Sequence, residues 1–240
     1  MESARNQDQP LLADMLQRLG TMYGLTQAYE ASLEFHTKHL ELVRAMGWRG
    51  QALAAALGNV GLAQRINKMN RAALMTFEEL RRMFTHELSV TTPDYARTLM
   101  NIGLCHLADN DAQRAEEMLH AAVSVIERLE ISPSDRQAAI ARDELFSNIT
   151  AHLGRVLFRQ RNFAVAKRVV ERSLRIKVTI LGASHPDVLD LFSLLGHICS
   201  EIGEGDAATH FFFRGNNEGR VMAAFKEWGA EGIDSIDEFS

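Results

Sequence analysis

Apolar residues recur along this chain at the three- and four-residue spacing of an amphipathic helix, and no convincing run alternates apolar and polar positions as a half-buried strand does. The pattern predicts an all-α protein. Its clearest stretch is 101–122. There an apolar stripe containing Gly103 meets the polar break Asp109-Asn110-Asp111, and a second stripe containing Ala115 follows. That reads as a helix, a tight turn and a second helix folded back on the first. Gly103 and Ala115 fall where the two helices come closest, so a larger side chain would push them apart. The same spacing of twelve from glycine to small residue occurs five times, at Gly20/Ser32, Gly61/Ala73, Gly103/Ala115, Gly154/Ala166 and Gly196/Ala208. Self-similarity of this kind marks a repeat array, because one helix pair cannot bury its apolar face alone and stacked neighbours can.

Punctuation supports the same division. Pro10, Pro93 and Pro186 each precede their repeat glycine by ten residues. Proline suits the first turn of a helix, where its missing N–H has no partner anyway, so three first helices are expected to begin near residues 10, 93 and 186. Gly47-Trp48-Arg49-Gly50 supplies the break before the second repeat. Pro133 lies 21 residues before Gly154, so the fourth repeat carries a longer first helix or a short extra one. Helices are expected over 10–24, 27–46, 51–66, 69–89, 93–108, 111–130, 134–160, 163–181, 186–202 and 205–218. The expected organisation is an N-terminal extension over 1–9, a five-repeat solenoid over 10–218, a capping helix over 219–229 and an acidic mobile tail over 230–240.

Composition narrows the class further. An apolar content of 46% is ample for a core, and four prolines without long Ser/Gly tracts argue against extended disorder. The net charge is −5 with no lysine/arginine block, so neither nucleic acid nor a membrane surface is an expected partner. Cys105 and Cys199 occupy packing positions in different repeats, which favours free thiols in a reducing compartment over a disulfide. The N-terminus has no apolar signal core and nothing reaches membrane-spanning length, so a cytoplasmic protein is expected.

Candidate chemistry is thin. His36 and His39 sit three apart on one helix, a spacing open to a metal, but no cysteine or acidic cluster converges on them and packing or surface roles are favoured. Cys105-His106 superficially resembles a thiol–imidazole pair, yet neighbours in a helix point in different directions and a catalytic pair must meet in space. The carboxylates are dispersed, and there is no phosphate-binding loop or dinucleotide fingerprint. No enzyme activity, metal or cofactor is expected. Phe211-Phe212-Phe213 cannot all face one side of a helix. One should pack with Ala208 and another against a terminal helix ending in Trp228, or against a partner.

The repeat unit Asn101-Ile-Gly, Ala115, Leu119, Ala122 resembles a tetratricopeptide repeat. The unit is longer than usual because the second helix runs on. In this it is similar to kinesin light chain, echoed by Leu181-Gly-Ala-Ser-His-Pro-Asp-Val188. It is also similar to the polarity adaptors that bind GoLoco proteins, echoed by Glu34-Phe-His-Thr-Lys-His-Leu-Glu-Leu42 and Leu57-Gly-Asn-Val-Gly61. The resemblance covers about residues 10–218 and implies a right-handed superhelical solenoid whose first helices line a concave groove. Carried over by position, the groove presents Arg18, Asn59, Arg65, Arg97, Asn101, Asn148, His152, Arg155, Arg159 and His197. Asn59 and Asn101 match asparagines that bond to a bound peptide's backbone in the long-repeat relatives; an amide offers both donor and acceptor without charge.

Arginine outnumbers carboxylate along that wall, and its planar fork suits bidentate carboxylate recognition. The expected ligand is an acidic protein segment with apolar anchors, held by a non-enzymatic adaptor. The alternative is a constitutive subunit of a cytoskeletal, ciliary or motor-associated assembly. Glu227-Trp228-Gly-Ala-Glu231 loosely resembles the peptides kinesin light chain captures, so the tail is a candidate self-ligand.

Overall fold

The computed structural model describes residues 2–132 and 134–215, with backbone only for 2–8 and 213–215. Among them are ten α-helices and no strand: α1 (Glu2–Leu25), α2 (Tyr29–Ala45), α3 (Gln51–Ile66), α4 (Asn70–His86), α5 (Pro93–Ala108), α6 (Ala112–Glu127), α7 (Arg136–Arg159), α8 (Phe163–Leu181), α9 (Pro186–Glu201) and α10 (Gly205–Gly215). They pair into five hairpins, each a first helix packed on the second that follows it. The chain divides into two compact units, Met1–Glu130 with three hairpins and Ile131–Ser240 with two described ones. In the first unit α2 also packs on α3 and α4 on α5; in the second, α8 packs on α9.

Local chemistry explains several helix ends. Thr92 accepts from the Tyr95 N–H ahead of Pro93, and Asp111 and Asp135 cap α6 and α7 by accepting from the N–H groups of Arg114 and Ala138. His185 Nδ1 accepts from the Asp187 N–H at the start of α9. Every first helix ends in the same way. A residue seven after the repeat glycine takes positive φ: Gln27, Lys68, Asn110, Arg161 and Gly203. The next N–H then reaches back five residues, from Ala28 to Tyr23, Met69 to Gln64, Asp111 to His106, Asn162 to Leu157 and Glu204 to Cys199, each at 2.9 Å. This is the Schellman closure, which satisfies carbonyls the helix end leaves open.

Each repeat glycine lies against its own second helix. A Cβ added at Gly20 would meet the His36 ring at 2.6 Å, at Gly61 the Phe77 ring at 2.8 Å, at Gly103 the Ala115 carbonyl and Leu119 at 3.1 Å, at Gly154 Val170 at 2.3 Å, and at Gly196 the Phe212 ring at 2.7 Å. The small residues twelve positions on, Ser32, Ala73, Ala115, Ala166 and Ala208, are buried. Ser32 also donates to the Gly20 carbonyl at 2.8 Å. The core runs between hairpins. In the first unit Leu40 and Val43 of α2 meet Leu57 and Val60 of α3 around Phe77. Burying a side chain such as Phe77 stabilises by about 1.5–3 kcal/mol.

One expectation changes and two open ones are resolved. Helix α1 starts at Glu2, so Pro10 lies inside it rather than at its first turn. Residues 2–9 contain neither glycine nor proline, so the helix runs on through them and Pro10 costs it one backbone bond. The extra length of the fourth repeat is one long first helix: α7 has 24 residues against 16 in α3, α5 and α9. The aromatic run resolves as Phe211 buried and stacked on Phe192, with Phe212 on Gly196 and half-buried. Pro133, the cap over 219–229, the tail over 230–240 and the Trp228 self-ligand fall outside the described residues.

Candidate functional site

The first helices of the first unit form one wall of a cleft of about 240 Å³. Gln17 comes from α1, Asn59 and Leu62 from α3, and Arg97, Thr98 and Asn101 from α5. Phe77, Leu80 and Phe84 of α4 supply an apolar floor. Of the expected groove residues, Asn59, Arg97 and Asn101 are brought together here. Arg18 is not: it is exposed on α1 and ion-paired with Asp14 at 2.8 Å, one helical turn back. Arg65 also lies off the cleft. It is half-buried, and its Nε is buried without a hydrogen-bond partner among the described residues. Burial lowers its pKa.

Asn101 is the most constrained of the three. Its side chain is buried, Nδ2 donates to the Arg97 carbonyl at 3.0 Å, and Oδ1 is buried with no donor among the described residues. A buried polar atom left unpaired costs about 1–3 kcal/mol. Asp94 stands 3.6 Å from Arg97 in the same lining, so the charges there cancel. The basic bias read along the whole wall is therefore not carried by this cleft.

The second unit holds a smaller basin of about 210 Å³, lined by Asn148, Ala151, His152 and Arg155 of α7, Lys177 of α8, and Asp187 and Leu191 of α9. Asn148, His152 and Arg155 were expected together and are together. Lys177 was not expected. It is buried, and its Nζ donates to Asn148 Oδ1 at 2.7 Å and Asp187 Oδ2 at 2.6 Å. Asn148 thus spends its acceptor inside the fold. The hydrogen bond from Lys177 holds the Asp187 carboxyl below the usual range, with Arg155 adding to the pull. Among the described residues Arg155 has no ion-pair or hydrogen-bond partner, so the basin keeps one positive charge beyond the Lys177–Asp187 pair. Sequence did carry a signal for Lys177: it interrupts the buried stripe of Val170, Leu174 and Val178, where an unpaired ammonium would be costly. Arg159 is exposed, and His197 is exposed with its ring edge-on to Phe212 at 4.9 Å; neither lines the basin.

Cys105 and Cys199 are free and buried, in different hairpins, and burial pushes each thiol up to about 11. The Cys105 thiol is therefore protonated near neutrality and is no nucleophile. His36 and His39 are buried, each with Nδ1 unpartnered among the described residues. No described cluster of three His, Cys, Asp or Glu side chains could hold a metal, and no described helix is long and apolar enough to cross a membrane.

Stacked two-helix hairpins with an open first-helix face define a helical-repeat protein. Residues 148–187, from the middle of α7 to the start of α9, match the family model described as Tetratricopeptide repeat, and the fold of the chain is that of a tetratricopeptide-repeat solenoid. No curated protein matches the sequence. Among solved structures, BtubC (BKLC) from P. vanneervenii superposes with a TM-score of 0.72 at 16% identity, over 94% of this chain and 87% of that one. A putative kinesin light chain with nearly identical TPR-like repeats from Podosopora anserina gives 0.66 at 16% identity, over 89% and 96%. The Rap conjugation gene regulator of plasmid pLS20, solved with the Phr* peptide, gives 0.66 at 12%, over 95% of this chain and 57% of that one. At these identities the likeness is one of fold.

Proposed function

We propose that this protein is a non-enzymatic adaptor that holds a segment of another protein against its first-helix faces. The observation that carries the reading is Asn101, a buried amide with an unspent acceptor on the wall of an apolar-floored cleft. A segment bringing a backbone N–H to Oδ1 and an apolar side chain to Leu80 and Phe84 would remove a standing cost. The acidic preference belongs to the second unit, where the Arg155 guanidinium makes no hydrogen bond or ion pair among the described residues. The Rap structure, solved with a peptide on a similar fold, supports the same use.

The test is selection of a random peptide display library on the purified chain. Wild type should enrich segments that combine apolar and acidic residues. The double variant Asn101→Leu/Arg97→Glu should bind the selected peptides at least ~10-fold more weakly, the scale of one lost hydrogen bond plus its unpaired partner. Arg155→Glu should abolish the acidic preference. Enrichment of nothing by the wild type, or unchanged binding by folded variants, would overturn the reading.

A further inference from the structure

Relative to the repeat glycine, positions eight, five and one before and two after form the face of a first helix that the second helix before it in the same unit covers. In α9 these are Val188, Leu191, Leu195 and Ile198, all buried. In α3 they are Leu53, Ala56, Val60 and Ala63, and in α5 Tyr95, Thr98, Ile102 and Cys105, all buried or packed on the core. In each case the preceding second helix (α8, α2 or α4) lies against that helix. The same positions in α1 are Leu12, Met15, Leu19 and Met22, exposed by 44%, 51%, 36% and 62%, with Leu11 and Leu25 beside them also open. Among the described residues nothing packs there, although the side chains are those of a packing face.

We propose that this face pairs with α1 of a second copy, the two helices running antiparallel, as neighbouring helices in the hairpins do. The proposal goes beyond the peptide-binding reading and uses a different face. The four residues are spaced three, four and three apart, the seam of an antiparallel helix pair. Turned end for end about residue 17, Leu12 lies against the partner's Met22 and Met15 against the partner's Leu19, so each branched leucine meets a pliable methionine. The flanking charges, Asp14 and Arg18, neutralise each other within each helix, so like charges do not oppose closure. The six apolar side chains expose on the order of 600 Å² per copy, so two copies can cover at most about 1,200 Å², the lower edge of stable interfaces. A face this apolar and continuous is unusual on a protein working alone.

The test is the mass of the full chain by sedimentation velocity across a concentration series. Wild type should run as a dimer. Met15→Glu/Met22→Glu should run as a monomer with an unchanged helical circular-dichroism spectrum, because both side chains already face solvent in the single copy. A monomer at every wild-type concentration, or a dimer that survives both glutamates, would overturn the proposal. Orientation has its own readout. A mixture of Met15→Cys and Leu19→Cys chains should form the mixed disulfide faster than either chain crosslinks with itself; faster self-crosslinking would overturn the antiparallel register. Peptide selection on the monomeric variant tells this failure apart from failure of the groove reading.

Discussion

Gly154 shows what one hydrogen atom in place of a methyl does in this fold. A Cβ there would sit 2.3 Å from Val170 Cγ2, and Val170 is wholly buried and stiff at χ1. Gly154→Ala gains roughly 1 kcal/mol of helix propensity but meets an overpacking cost of typically 1–3 kcal/mol. The expected result is a net loss of up to about 2 kcal/mol, read from denaturant midpoints. Combining it with Val170→Ala should cost less than the sum of the two single changes, because the alanines share one space. The need for a small residue at Gly154 and Ala166 was legible in the sequence. The residue that presses on the glycine was not. It lies sixteen positions on and is histidine, phenylalanine, leucine, valine and phenylalanine in turn, so no residue type marks it.

The hairpin turn is where the element is decided. All five first helices close with a residue at positive φ, yet only Asn110 and Gly203 are residue types that favour it. Gln27, Lys68 and Arg161 adopt the same conformation at a cost of about 1–2 kcal/mol each, borne by the back-bonded closure. Replacing Lys68 by glycine should therefore stabilise the α3/α4 hairpin by about 0.5–1 kcal/mol after allowing for glycine's looser unfolded chain. Thermal unfolding should show a higher midpoint; a lower one would mean the lysine stem contributes packing that outweighs its strain. The Asp109-Asn110-Asp111 break announced one such turn, and the others were legible mainly through their place after each repeat glycine. At the same scale Lys177 joins α7, α8 and α9 through Asn148 and Asp187. Those partners lie 29 and 10 residues away, beyond the reach of helical spacing.

For the molecule as a whole, the two units differ in what they bury. His36 and His39 are buried in the first unit, whereas among the described residues the second buries no histidine. Burial lowers both pKa values from the ordinary 6.5, and His39 lowers that of His36 further. The folded form thus resists protons that the unfolded chain accepts, so stability is complete above about pH 6.5 and falls as pH drops below it. Mild acid should unfold the first unit before the second, visible as a separate transition in hydrogen exchange at pH 5 that merges at pH 8. His36→Phe, which installs the residue that Phe77 and Phe212 already place against their glycines, should weaken that acid sensitivity. An unchanged separation would show that His36 does not cause it.

What the chain's own order determined was everything set by neighbours within a few residues: the ten helices, four of their N-terminal caps, and the glycine and small residue that let each pair close. Local spacing could also have shown that Arg18 and Arg97 each sit within one turn of an aspartate, which neutralises them. Packing alone decided which side chain presses on each glycine, that Lys177 is buried between two acceptors, and that Arg155 makes no hydrogen bond or ion pair among the described residues. It also decided that the apolar stripe of α1 stays uncovered within the described fold. The reason is range. Helical periodicity correlates residues three and four apart, whereas burial and charge at a site depend on side chains ten to thirty residues away that meet only once the hairpins stack.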